Sequence, residues 1–227
     1  MKPRQIIDHV YQVGGAAISD VRDGAIYLLE LDELVLIDSG AGIGFDQTLS
    51  NIQLVGFDPA NISSIILTHC HMDHIGGAAR FGQRFGSRII MHALDAEIVE
   101  RGDQLMTAAW CFGILLKPFP IDIKLQGVKG QLSFGANKVG WIHIPGHTPG
   151  SIAVYFDVGD KRVLFGQDIS APLLEDFKCD PDAWRRSMDK ILALDADILC
   201  DGHAGVFRPK TRVKAYIERS IVGHGFK

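Results

Sequence analysis

Six consecutive residues, His69-Cys70-His71-Met72-Asp73-His74, hold three of the chain's nine histidines and one aspartate. Imidazole nitrogen and carboxylate oxygen are ligands for zinc, iron or manganese. A lone histidine on a loop is ordinarily a surface polar group. Four ligand-type side chains in six positions at a strand end are a metal-binding pattern. The apolar run at residues 64–67 reads as a buried strand. His69 and His71 are then expected in extended backbone, with both imidazoles on one side and Cys70 on the other. Cys70 is therefore left out of the ligand set. Met72 and Asp73 turn the chain. Ile75-Gly76-Gly77 opens a helix whose positive end is expected to keep His74 neutral and able to bind metal.

The elements that must position these groups are short. Residues 25–29 and 33–37 read as a hairpin. Residues 64–67, 88–91, 139–144, 152–156 and 162–165 read as strands, and 198–200 as a shorter one. Helical spacing falls at 45–55, through Phe45, Leu49, Ile52 and Val55, and again at 75–85. Residues 182–194 place Trp184, Met188, Ile191 and Leu192 on one face, with Asp180 capping before Pro181. The last helix is expected at 206–221. Strands in hairpins with single helices between them predict two sheets with helices on their outer faces. Residues 94–119 carry Met106, Trp110, Phe112, Leu115 and Leu116 and show helix signals without a boundary.

The bulk properties narrow the function. The chain has 227 residues, 47% hydrophobic and 22% charged, which excludes a disordered chain. A chain of this length can bury about 70–75% of its unfolded surface, so its core needs no disulfide or structural metal. A net charge of −4 leaves no basic footprint for nucleic acid. No apolar run reaches the ~18 residues of a membrane span, and the first residues lack the apolar stretch of a signal peptide. A cytoplasmic protein is the expectation. Cys70, Cys111, Cys179 and Cys200 form no CxxC pair, which suits a reducing compartment. No repeat or linker divides residues 1–227, so a single domain is expected.

Thr68 to His74 resembles the HxHxDH motif of the metallo-β-lactamase superfamily, in particular its glyoxalase II and lactonase-like branch. Val35-Leu36-Ile37-Asp38-Ser39-Gly40 resembles its upstream strand-Asp-x-Gly element, and Pro145-Gly146-His147-Thr148-Pro149-Gly150-Ser151 its third motif. Leu164-Phe165-Gly166-Gln167-Asp168 resembles the fourth, with Gln167 interrupting the usual Gly-Asp. Cys200-Asp201-Gly202-His203 resembles the last. The resemblance implies an α/β (α+β) fold, a four-layer αββα sandwich of two mixed β-sheets flanked by helices. It implies that His69, His71 and His147 bind one metal, that Asp73, His74 and His203 bind a second, and that Asp168 bridges them. Zinc is the first expectation, with iron and manganese compatible. A hydroxide between the two metals would cleave a small ester, thioester or lactone. Asp73, holding the second metal and orienting the hydroxide, is the catalytic candidate. Asp38 is expected to orient a metal-bound histidine.

Other branches fit less well. True β-lactamases usually lack a bridging carboxylate and are exported. Glyoxalase II enzymes carry a C-terminal helical segment for glutathione, and 24 residues follow His203 here. Nucleic-acid processing members carry an inserted domain or a basic face. The flavodiiron branch has glutamate where this chain has His71. Persulfide dioxygenases hold one iron through positions matching His69, His147 and Asp168, and stand as the alternative; a non-catalytic metal-binding member ranks below it. Thr148 and Ser151 are expected as loop hydrogen-bonders, His92 as a surface or capping residue, His143 as a satisfied core histidine and Cys200 as a buried small hydrophobe. Met106, Trp110 and Phe112 are candidates for an apolar substrate pocket, against the plainer reading of a core helix. The expected partner is a small molecule, not nucleic acid or membrane, and a homodimer is compatible with the chain.

Overall fold

Period-two alternation of large apolar residues dictates the centre of the molecule. In a computed structural model describing residues 1–226, the chain forms two facing sheets. The first has strand order β1 (Arg4–Ile7), β2 (Val10–Gly14), β3 (Ile26–Glu30), β4 (Leu34–Ile37), β5 (Ile62–Ile66), β6 (Arg88–His92), β7 (Ile123–Leu125). The second runs β13 (Val206–Phe207), β12 (Ile198–Asp201), β11 (Lys161–Gln167), β10 (Ile152–Val158), β9 (Asn137–His143), β8 (Lys129–Phe134). Both are mixed: β4 to β7 pair in parallel, as do β11 and β12, and the remaining pairs are antiparallel.

Tyr27, Leu29, Val35, Ile37, Ile66 and Ile90 meet Trp141, Ile152, Val154 and Phe165 between the sheets. Their neighbours Ile26, Leu28, Leu36 and Ile65 face outward onto α1 (Phe45–Leu54), α3 (Ala78–Phe85) and α4 (Ala93–Glu100). Leu164 and Leu199 face α5 (Pro181–Ala193) and α6 (Lys210–Gly223) through Trp184, Met188, Ile191 and Ile217. The result is the expected four-layer αββα sandwich. Each fully buried side chain of this size contributes about 1.5–3 kcal/mol. Among the described residues no helix is long and apolar enough to cross a membrane.

Three local expectations change, and some strands carried none. The helix expected at 75–85 divides into α2 (Met72–Ile75) and α3. At Gly76 and Gly77 the chain passes so close to Ala41 and Ser39 that a Cβ would strike their carbonyl oxygens. The last helix starts at Lys210 rather than 206, because Val206 and Phe207 pair with Cys200 and Leu199 as a short edge strand. The hairpin β1–β2 and strand β8 carry no clean apolar alternation; β8 is half solvent-facing. In residues 94–119 only α4 and one tight turn, Ala109–Phe112, are helical.

The topology gathers the chemistry at one edge. β4 and β5 are parallel, and β9 and β11 run the same way because both oppose β10; β12 follows β11. The loops after β4, β5, β9, β11 and β12 therefore all open on the same side. Ile152 N–H donates to the Thr68 carbonyl and Ala25 N–H to the Gly202 carbonyl, which lock the two sheets together at that edge.

Candidate metal centre

Five strand ends deliver the site. After β4, Asp38 takes φ +61, a left-handed conformation that aspartate tolerates better than most residues. After β5, the chain bends at Thr68 to Cys70, where an extended run was expected, and Asp73 and His74 occupy the short α2. His147 follows β9, Asp168 follows β11 and His203 follows β12. One donor atom from each of His69, His71, His147 and Asp168 lies within 4.8 Å of the others, and the same holds for Asp73, His74, Asp168 and His203. Asp168 belongs to both clusters. Its carboxylate stands 3.8 Å from His69 Nε2, 3.6 Å from His147 Nε2, 3.2 Å from His74 Nε2 and 3.3 Å from His203 Nε2. Asp73 Oδ2 lies 3.0 Å from His203 Nε2. Cys70 turns away: its thiol donates to the Met106 carbonyl.

The donors fit metal ions by an independent criterion. Buried polar atoms are nearly always hydrogen-bonded. Here His69 Nε2, His71 Nε2, both ring nitrogens of His147 and Asp168 Oδ1 are buried without a hydrogen-bond partner. One unpaired imidazole nitrogen from each of His69, His71 and His147, gathered around a carboxylate that also faces the second cluster, suits a divalent cation.

The surrounding groups fix the imidazoles. Asp38 Oδ2 accepts from His74 Nδ1 at 2.7 Å and from the Thr68 hydroxyl at 2.8 Å, and Oδ1 accepts the Thr68 N–H. The Thr68 hydroxyl, its proton given to Asp38, accepts from His69 Nδ1 at 3.0 Å. Both histidines then present Nε2 to the clusters. Asp201 Oδ1 accepts from the N–H groups of His203 and Ala204, while Oδ2 accepts from Tyr216 in α6.

The two clusters differ in charge without metal. Burial lowers the basicity of His69, His71 and His147, and the neighbouring imidazoles reinforce it; His71 falls to about 3. At His74 and His203 burial also opposes the charge, but carboxylates outweigh it. Asp168, Asp73 and Asp38 raise His74, and hydrogen bonds that His203 donates to Asp168 and Asp73 carry it up to about 10. The expectation that a helix end keeps His74 neutral is thus corrected. His74 lies within a four-residue helix, and three carboxylates dominate its surroundings.

A cavity of about 450 Å³ opens over the clusters. Its apolar walls are Val21, Ala108, Phe112, Ala171, Pro172, Leu174 and Phe177, and Arg22, Asp23, Cys111 and Ser170 line it beside the cluster residues. Of the three pocket candidates, Phe112 lines it. Met106 is buried in the core beneath, and Trp110 is 59% exposed and lies outside the lining. In an irregular segment, helical spacing does not decide which side chain faces inward. Residues 170–177 had no sequence signal; the last of them, Phe177, stacks edge-on with His71 at 5.3 Å. His92 caps α4 and stacks on His143 at 4.1 Å, and Cys200 is buried. Gln167 takes φ +52 at the interrupted Gly-Asp position, and its buried amide has no partner. Asp95, missed at the sequence level, accepts from both ligand-bearing loops.

Comparison with known proteins identifies the family. The family model described as the metallo-beta-lactamase superfamily matches residues 20–203. The human acyl-coenzyme A thioesterase MBLAC2 is 29% identical over 118 residues, 46% of this chain and 40% of the relative. A hydroxyacylglutathione hydrolase of Acidiphilium cryptum is 30% identical over 137 residues, 60% of this chain and 47% of the relative. The matched segments thus span less than half of either relative. A solved Cronobacter sakazakii metallo-beta-lactamase, a HARLDQ motif mutant, superposes with TM-score 0.82 at 24% identity, covering 99% of this chain and 96% of that one.

Proposed function

The chain belongs to the metallo-beta-lactamase superfamily, and from that premise we propose that it is a binuclear metal-dependent hydrolase of a small thioester or ester with an apolar acyl group. The observation that carries this reading is the paired donor set with a shared Asp168, its unpartnered nitrogens at the floor of an apolar-walled cavity. His69, His71, His147 and Asp168 would hold one metal, and Asp73, His74, His203 and Asp168 the other, zinc being the first choice. Bound there, the pair supplies a water ionised near neutral pH and a Lewis acid for the substrate carbonyl.

The protein's own groups do the rest. Asp38 keeps the proton of His74 on Nδ1, and through Thr68 that of His69. Asp73 orients the attacking water from the second cluster. Phe112, Leu174 and Phe177 hold the acyl chain and exclude bulk water. Arg22 also lines the cavity; Asp20 occupies two of its donors, and the remainder serve an anionic leaving group. Thioesters are favoured because one relative is named an acyl-coenzyme A thioesterase and another a hydroxyacylglutathione hydrolase; lactones rank next.

The test is a panel of acyl thioesters, esters and lactones given to zinc-reconstituted protein, with chelated protein alongside. Turnover of one class that the chelator abolishes supports the reading. No turnover of any class by protein carrying two metals per chain refutes it.

A further inference from the structure

Asp95 is a wholly buried carboxylate beside the metal-binding loops, with no part in the hydrolysis proposed for them. It lies in the first turn of α4 with no solvent exposure. Its Oδ2 accepts the Cys70 N–H at 2.9 Å and the Thr148 hydroxyl at 2.6 Å, and its Oδ1 accepts the Gly150 N–H at 2.6 Å. Cys70 sits between His69 and His71, and Thr148 follows His147. One carboxylate therefore joins the two loops that carry the three-histidine cluster, loops about 75 residues apart in the chain and attached to different sheets.

The contact is built on both sides. A Cβ at Gly150 would strike the Asp95 backbone nitrogen and carboxylate, so the close approach needs glycine there. Ser151 closes the network: its hydroxyl contacts the Thr148 hydroxyl at 2.7 Å and accepts the Thr148 N–H at 3.1 Å. The second cluster is held by other groups. Asp38 bonds His74, and Asp201 bonds the backbone of His203.

We propose that Asp95 is the positioning residue of the first metal site, setting the spacing between the His69–His71 loop and the His147 loop and hence the affinity of that site, with no comparable hold on the second. The inference rests on the metal reading of the site, not on the reaction.

Single-site backgrounds test it. Asp73→Ala disables the second cluster and His147→Ala the first. Zinc affinity is measured in each, with and without Asp95→Asn, by competition with a chromogenic chelator, and the cobalt(II) absorption spectrum reports ligand geometry. Asn keeps the volume but offers one acceptor oxygen where three donors converge. In the Asp73→Ala background it should weaken zinc about 10–100-fold and alter the cobalt spectrum. In the His147→Ala background the change should stay within about threefold. Equal weakening in both backgrounds, or none in the first, overturns the proposal. Should Asp95→Asn fail to fold, Thr148→Val, which deletes one donor and keeps the volume, carries the same comparison with a smaller effect in the same direction. Wild-type protein that binds no zinc would overturn the metal reading itself; wild-type binding with Asp95→Asn unaltered would overturn only this inference.

Discussion

Replacing Asp38 with asparagine isolates what its carboxylate does for the imidazoles. Asn tolerates the left-handed backbone at this position, where φ is +61, so the fold is left intact. The carboxylate accepts three bonds, from Thr68 N–H, the Thr68 hydroxyl and His74 Nδ1. An amide oxygen in the Oδ1 position keeps the first. The NH2 group then faces His74 Nδ1 and cannot accept its proton, so it no longer favours the metal-binding tautomer, in which the free nitrogen is Nε2. That nitrogen stands 3.2 Å from Asp168 and 3.4 Å from Asp73, where a metal would bind. Metal binding then lacks the bond from His74 Nδ1–H to the Asp38 carboxylate, a charge-assisted hydrogen bond of about 1.5–3 kcal/mol. The expected cost is about 10–100-fold in affinity at the second cluster, the range for partners of metal-bound histidines. Zinc titration against a chromogenic chelator reads it, with thermal unfolding as the control. Two zinc ions bound by Asp38→Asn with wild-type affinity would refute the tautomer argument.

The metal-free protein should release protons on binding metal at the second cluster, where carboxylates raise His74 and bring His203 to about 10, and none at the first, where His71 sits at about 3. Because raised histidines hold their protons through neutral pH, affinity at the second cluster rises with pH between about 6 and 9 while the first stays flat; calorimetry in buffers of different ionisation enthalpy measures it, and equal release from both clusters counts against it. Phe177→Ala should raise KM for long-chain acyl thioesters about 10-fold or more and leave acetyl thioesters nearly unchanged, whereas Trp110→Ala, outside the cavity lining, should leave kinetics unaltered on both; the reverse ranking would refute the placement of the wall. Gly146→Ala should lower stability by about 3 kcal/mol or more, seen in urea unfolding, because φ is +135 and a Cβ would strike the Trp184 backbone.

The sequence carried the parts of this site whose cause is local. Ile26 to Ile37 alternate because one strand face meets the other sheet and one meets helices. The hexapeptide from His69 to His74 was legible because four ligand-type residues crowd into six positions; the extended backbone expected there is instead a run of bends beyond β5. The ligands His147, Asp168 and His203 entered only through resemblance, since each follows its own strand and nothing local marks it. What stayed hidden depends on tertiary neighbours. His74 gains its charge from Asp168, Asp73 and Asp38, which no helix-end argument includes. Asp95 reads as an ordinary acidic residue in a first helical turn, yet its partners lie at Cys70, Thr148 and Gly150. Phe177 and Leu174 line the cavity from a segment with no periodicity, and Met106 packs into the core from another. Strand β8 alternates in burial, but its inward positions are Gly130, Leu132 and Phe134, and a Cβ at Gly130 would strike Trp141, so the apolar signal is reduced to two residues.

Metal content per chain tests the central claim most directly. The protein is purified without chelators or nickel affinity and weighed under native conditions and after acid release, with elemental analysis of the same sample. The shared Asp168 and the two complete clusters predict close to two metal ions per chain, zinc first, both removed when Asp168 is replaced by alanine. One iron per chain, with oxygen uptake on a persulfide and no hydrolysis, would contradict the account.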